Sequence, residues 1–513
     1  MEKKEDKIPL QSRVFGHRFR GDQTVYEYLL EFLIVAFSEK KRLDKKDDEG
    51  KYVYEYPKDN LFPIGLNKLE EITFSPNNNV ALKRFIFFNK SKLENRYEID
   101  KDAYEEHLKL LEDSIIFEEN NQYIRDERDA ISILQNVLYG FTAVTENRSW
   151  FAQSLLPICQ SALTAEIMGR DVKNYQGKSS DVFYQKVDDH FETNRYNFMA
   201  RGGEVYYLHL LNAINNNLEF KESIEEGFKK ILENFKEFEM LCSKIQDVWN
   251  SGIKEDAEYN SKKYKSKQIN KTLGSIPEGF EVREKHTLQE LENILKADMH
   301  PFEKIDILSV GIILQLIIAT HKQSRIQVKR KTPYMIFDID CYQGKSNEEV
   351  KKLAAENFNS YTQDIIDALH SGYIEFKDEL KTDISEEKII KTAIDESIKV
   401  YKKIGKNIGI IRPINEKYAR FTLDEKILKF LVLSLVKPGT KITFDTFLEK
   451  VYKHFSIVIG KEELLKADSE INESIYSFLD INKNAMQIML KECGFLRELS
   501  DSTSIVENPY MEV

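Results

Sequence analysis

Leu435-Val-Lys-Pro-Gly-Thr-Lys-Ile-Thr-Phe-Asp-Thr-Phe-Leu448 packs a helix stop, an extended piece and a helix start into one stretch. Lys437-Pro-Gly439 ends a helix running from about Leu423 to Val436, because proline cannot continue it and glycine tolerates the left-handed turn. Asp424 and Glu425 suit that helix's first turn, where the dipole is positive. Lys441-Ile-Thr-Phe444 reads as extended, and Thr443 or Asp445 can cap a second helix carrying Phe447, Leu448, Val451, Tyr452 and Phe455 at helical spacing. A polar insert, Lys461 to Glu473, precedes a third helix over about Asn482–Cys493, closed by Gly494. Phe495–Leu499 and Ser504–Val506 then predict a hairpin across Ser500-Asp-Ser-Thr503. Helix, strand, helix, helix and hairpin in that order are the order of a winged helix over residues 421–513.

In that arrangement the third helix would face a major groove. Lys483, Asn484, Gln487 and Lys491, with Arg497 on the hairpin, are the candidate nucleic-acid contacts. Amide side chains read adenine edges and cations meet phosphates. Charge argues the other way. Residues 421–513 hold 11 Lys+Arg and 15 Asp+Glu, a balance of 11 − 15 = −4. Docking of a protein, or a purely structural role, is therefore the first expectation for this module, and contact with double-stranded DNA the alternative.

The other residues predict a mainly α, multi-domain body. A chain of 513 residues holds about three domains at ~100–200 residues each. The expected division is a helical N-terminal body over 1–260, a second mostly helical domain over 276–420, and the terminal module over 421–513. The lysine-rich run Asn260–Lys271 marks the first boundary. With 41% hydrophobic and 31% charged residues, a large core is available. The net charge of −11 excludes a generally basic nucleic-acid binder.

Cys159, Cys242, Cys341 and Cys493 are too scattered for a metal knuckle or a disulfide framework, which fits a reducing cytoplasm. No targeting segment is read at the N-terminus. Tyr26–Phe37 and Ile305–Thr320 are too short and too interrupted to span a bilayer and read as buried helices. Thr24-Val-Tyr-Glu27 fits a capping box for the first. Trp150–Met168 also reads as a buried helix, entered near Pro157 or broken there, residues 223–249 as one long amphipathic helix, and 39–60 as loop around a short strand at Tyr52–Tyr56. Pro333–Asp340 reads as a strand. Ser346-Asn-Glu-Glu349 opens a helix to about residue 370, and 385–404 forms another.

Sites of chemistry are sparse. Arg201-Gly-Gly203, opening a helix, could present backbone amides to a phosphate, although two glycines equally suit a tight turn. Asp188-Asp-His-Phe-Glu192 is the densest acid and histidine group and more simply a solvated face. Asp338, Asp340 and Lys345 suggest a metal-dependent nuclease, but the acid-x-Lys spacing is absent. No two of the nine histidines are paired at helical spacing. No catalytic residue, cofactor or metal is therefore assigned.

Three stretches, Arg18–Leu30, Arg201–Leu210 and Leu435–Leu448, resemble uncharacterised accessory proteins of bacterial multi-gene anti-phage systems. That resemblance implies a non-catalytic subunit working beside an ATPase, nuclease or methyltransferase. The terminal element order and the sparse chemistry lead to the expectation of a cytosolic scaffold or adaptor subunit, working with other protein subunits of a DNA-directed complex. A metal-dependent nuclease and a DNA-binding regulator remain the alternatives.

Overall fold

The longest apolar run forms helix Pro301–Gln327 in the computed structural model, extending past the expected 305–320 at both ends. Proline begins it, and His300 Nδ1 accepts the amide of Phe302 at 3.3 Å. Residues Ile307 to His321 of this helix are buried on every face. Helices Val25–Ala36, Glu348–Leu380 and Glu425–Leu435 pack around it. The structure describes residues 9–18, 21, 23–46, 52–65, 72–77, 79–91, 98–117, 123–144, 146–167, 199–252, 271–272, 276–331, 333–339, 341, 347–380, 384–413, 419–467, 476–500 and 503–512. Among these the chain is mainly helical, with a few small sheets. No described helix is long and apolar enough to cross a membrane.

Helix Val25–Ala36 opens on the expected capping box, with Glu27 accepting the Thr24 amide at 2.7 Å. Its other end explains a missed strand. Residues 39–46 look solvated because of their lysines, yet they form strand Glu39–Lys46, paired antiparallel with Tyr52–Tyr56 and Ile72–Ser75. Lys40 is buried because its amine donates to the carbonyls of Ala36 and Ser38, satisfying the helix end. Burial pulls that amine down to about 7.

Two helix expectations are corrected. Described residues of 150–168 hold no α-helix, but the short 3-10 turns Trp150–Ala152 and Gln160–Ala162 and a bridge from Leu155 to Thr142. Pro157 obstructs a continuous helix, and the irregular backbone is supplied from outside, the buried amine of Lys83 donating to Phe151 O and Ala165 O, each at 3.0 Å. The single amphipathic helix over 223–249 is two, Lys221–Glu233 and Lys236–Gly252, divided at Asn234–Phe235. Phe235 there turns toward Phe302, with ring centroids 5.1 Å apart.

The terminal elements follow the expected order. Asp424 caps Glu425–Leu435 by accepting the Lys426 amide. Gly439 (φ 67°) supplies the left-handed turn after it. Thr443 caps Phe444–Phe455 through the Thr446 amide. Helices Lys461–Ala467 and Tyr476–Glu492 follow. Strands Leu496–Ser500 and Thr503–Glu507 pair antiparallel, and Lys441–Thr443 joins the second of them through Val506↔Ile442.

A second small sheet ties this segment to the body. Met335–Asp338 runs parallel to Arg420–Thr422 on one side and to Ile457–Val458 on the other. The expected boundary at 420/421 therefore falls inside a strand. One hydrophobic cluster extends from Tyr28 to Val506. The lysine-rich boundary run lies outside the described residues, save Lys271.

Candidate functional site

Helix Tyr476–Glu492 buries Leu479, Asn482, Ala485, Met486, Met489 and Leu490 at spacings of three and four. Asn482 is the anchor. Its amide group accepts the Ile339 amide at 2.7 Å and donates to Phe337 O and Ile459 O at 2.6 and 3.1 Å. Opposite lies a stripe of Ile481, Asn484, Ile488 and Lys491, with Ile481 and Ile488 exposed to 38% and 41%. Seven residues apart, these two isoleucines sit about 10 Å apart along one face.

The candidate nucleic-acid residues share this region, but each of their cations meets a carboxylate. Lys483 binds Asp445 at 2.7 Å, Lys491 binds Glu498 at 3.1 Å and Arg497 binds Glu507 at 2.7 Å. Asn484 is exposed and Gln487 half-buried. Exposed ion pairs are weak, near ~0–1 kcal/mol, so a phosphate could open them. It would nevertheless compete with carboxylates already in place, on a segment carrying net negative charge.

The glycine pair already holds an anion from its own chain. Arg201 takes a left-handed turn (φ 65°) and helix Gly202–Asn216 begins. The amides of Arg201 and Gly203 donate to the Glu31 carboxylate at 2.9 and 3.0 Å, and Gln23 adds a third donor. The Arg201 guanidinium turns to Glu204 at 2.7 Å. This helix start binds a carboxylate as the amide argument requires, and the carboxylate is internal. Burial, with repulsion from Glu204, raises Glu31 to about 8 against the opposing amides.

A raised carboxyl value favours folding below the ordinary 4.5 and loses that contribution as pH climbs through about 8. Relative to wild type, Glu31→Gln should therefore gain stability between pH 5 and pH 9. Comparing the two urea midpoints at each pH removes the background from other groups. A difference that stays constant across that range would refute the assignment.

The other acidic candidates separate. Asp338 is fully buried and bound by Arg420 at 2.5 Å, and it also accepts the Cys341 amide. Its charge is matched by an arginine, and among the described residues it joins no group of three possible metal ligands. Asp340, Lys345 and the group Asp188–Glu192 lie outside the described residues. The basic stretch after residue 320 is partly internal. His321 is buried against the Tyr401 hydroxyl, while Arg325 and Arg330 both pair with Asp364.

Sequence reasoning passed over one cluster. His286 and Glu290 stand four residues apart on helix Glu284–Lys296, and His454 reaches them from Phe444–Phe455. One ligand-type atom from each lies within 4.8 Å of the others. His454 Nδ1 is 2.8 Å from Glu290 Oε1. Arg283 spans both carboxylate oxygens at 3.0 and 2.9 Å, and Gln315 donates to Oε2. Thr287 and His209 continue the chain of contacts behind Gln315. Burial opposes ionisation of Glu290, but Arg283 and then His454 overcome it, and the carboxyl stays below its usual value. The i, i+4 pair His286/Glu290 was legible in the sequence. A search for paired histidines does not find it.

Comparison with protein-family models, curated proteins and solved structures finds no match.

Proposed function

We propose that the terminal segment is a winged helix that docks a protein subunit, and that the helical body is the scaffold presenting it within a larger, DNA-directed bacterial complex. One observation carries this reading. Every candidate cation on the helix and hairpin is paired with a carboxylate, while Ile481 and Ile488 face outward on the same helix. A surface that grips phosphates would carry uncompensated positive charge. A surface that meets protein places apolar anchors inside a polar rim. The net charge of the segment further favours a partner with basic residues around an apolar patch.

The partner is best recovered with the tagged full chain from its native host and re-bound as a purified pair. Ile481→Glu/Ile488→Glu should weaken that binding at least about a hundredfold, since each buried isoleucine is worth ~1.5–3 kcal/mol. Duplex DNA, followed by fluorescence anisotropy over a salt series, should bind Lys483→Ala/Lys491→Ala and wild type alike. Loss of duplex affinity together with a flattened salt slope in the lysine variant would defeat the docking reading in favour of DNA contact.

A further inference from the structure

We propose that His286, Glu290 and His454 form a transition-metal site, of the kind that takes zinc, which clips the terminal segment to the body. The donor set is two imidazoles and a carboxylate, a combination suited to zinc. The first two donors come from one helix at i, i+4 spacing, so a single rigid element orients them. The third comes from a residue 164 positions along the chain from Glu290. An ion held here would therefore join helix Glu284–Lys296 to Phe444–Phe455.

The surroundings are those of a prepared ligand set. His286 Nδ1 is buried and has no hydrogen-bond partner among the described residues. Glu290 Oε2 keeps Arg283 and Gln315 when Oε1 turns to an ion, and such outer contacts fix a metal-bound carboxylate. His454 would exchange its contact with Oε1 for the ion. The opposing charges are Arg283 and Lys322, the latter lowered to about 8 chiefly by burial and then by Arg283. Arg283 also lies over the Phe455 ring at 5.0 Å, which holds its guanidinium against the aromatic face. Three protein donors leave a fourth position for water or another ligand.

The test uses the full chain, stripped with a chelator and titrated with Co²⁺ and Zn²⁺. One equivalent of Co²⁺ should bind with the intense visible bands of a four-coordinate ion, and Zn²⁺ should displace it. His286→Gln and His454→Gln should each weaken binding at least about tenfold, whereas the exposed-site variant His370→Gln should bind like wild type. Circular dichroism separates loss of fold from loss of ligand. If a variant fails to fold, the wild-type spectrum still decides. Six-coordinate or absent visible bands overturn the proposal, as does binding that survives in both folded ligand variants or vanishes in His370→Gln.

Discussion

Arg148→Leu is expected to lower the unfolding free energy by about 3–5 kcal/mol, the range for stranding one partner of a buried ion pair. The Arg148 and Glu27 side chains are exposed to only 3% and 1%, with contacts of 2.6 and 3.2 Å. Ser154 approaches the same carboxylate, which also closes the capping box on the Thr24 amide. Removing the guanidinium leaves a buried carboxylate with the helix start, the Ser154 hydroxyl and the more distant charge of buried Lys83. Burial already raises Glu27, and Arg148 is the largest influence restraining it. The variant should therefore raise it further. A raised carboxyl stabilises below its ordinary value and loses that contribution as pH rises. The deficit against wild type should shrink toward pH 4 and widen above neutrality. Urea unfolding at several pH values measures this, and Glu27→Gln/Arg148→Leu should recover part of the loss because the two sites are coupled. A small, pH-independent loss would mean that the pair contributes little.

Gly203→Ala is the second large effect, at about 3 kcal/mol or more, the upper end of overpacking costs. A Cβ at this position would lie 2.3 Å from Tyr28 O, 2.5 Å from Glu31 Cβ and 2.6 Å from Phe32 N. All three belong to helix Val25–Ala36, and two are backbone atoms, so rotating a side chain gives no relief. Helices Val25–Ala36 and Gly202–Asn216 must separate, which also pulls the Gly203 amide from Glu31. Gly21→Ala is the control, since its Cβ would meet nothing nearer than Val400 at 3.8 Å. Thermal unfolding should show a large fall for the first and almost no change for the second. Equal effects would remove the close approach of these helices as the cause.

The parts read correctly from sequence are those fixed locally. Asp424, Thr443, Gly439 and the Thr24/Glu27 box act within a turn of their own positions, and the helices they delimit appear where expected. Most misreadings have distant causes, and Lys40, whose partners lie two and four residues away, is the exception. Lys40 looks solvated until a helix end needs its amine. The apolar run after Trp150 looks helical, but Lys83 supports it in an irregular path. Asp338 looks reactive until Arg420, 82 residues away, is placed beside it. The candidate metal cluster mixes both cases, with a local pair on one helix and a remote third member. The phosphate reading of Arg201–Gly203 had sound chemistry, while the identity of the anion depended on packing against Glu31.

The parallel neighbours of Met335–Asp338 constrain how the gene can be divided. A chain cut at 420/421 would split the Arg420–Thr422 strand and take away Ile457–Val458, baring hydrogen-bonding groups on both flanks of a hydrophobic strand. Such bare flanks recruit further strands from neighbouring molecules. Fragments cut there should be prone to clumping, and an insertion or fusion is better placed at exposed Gly65, where nothing lies within 4 Å of an added Cβ.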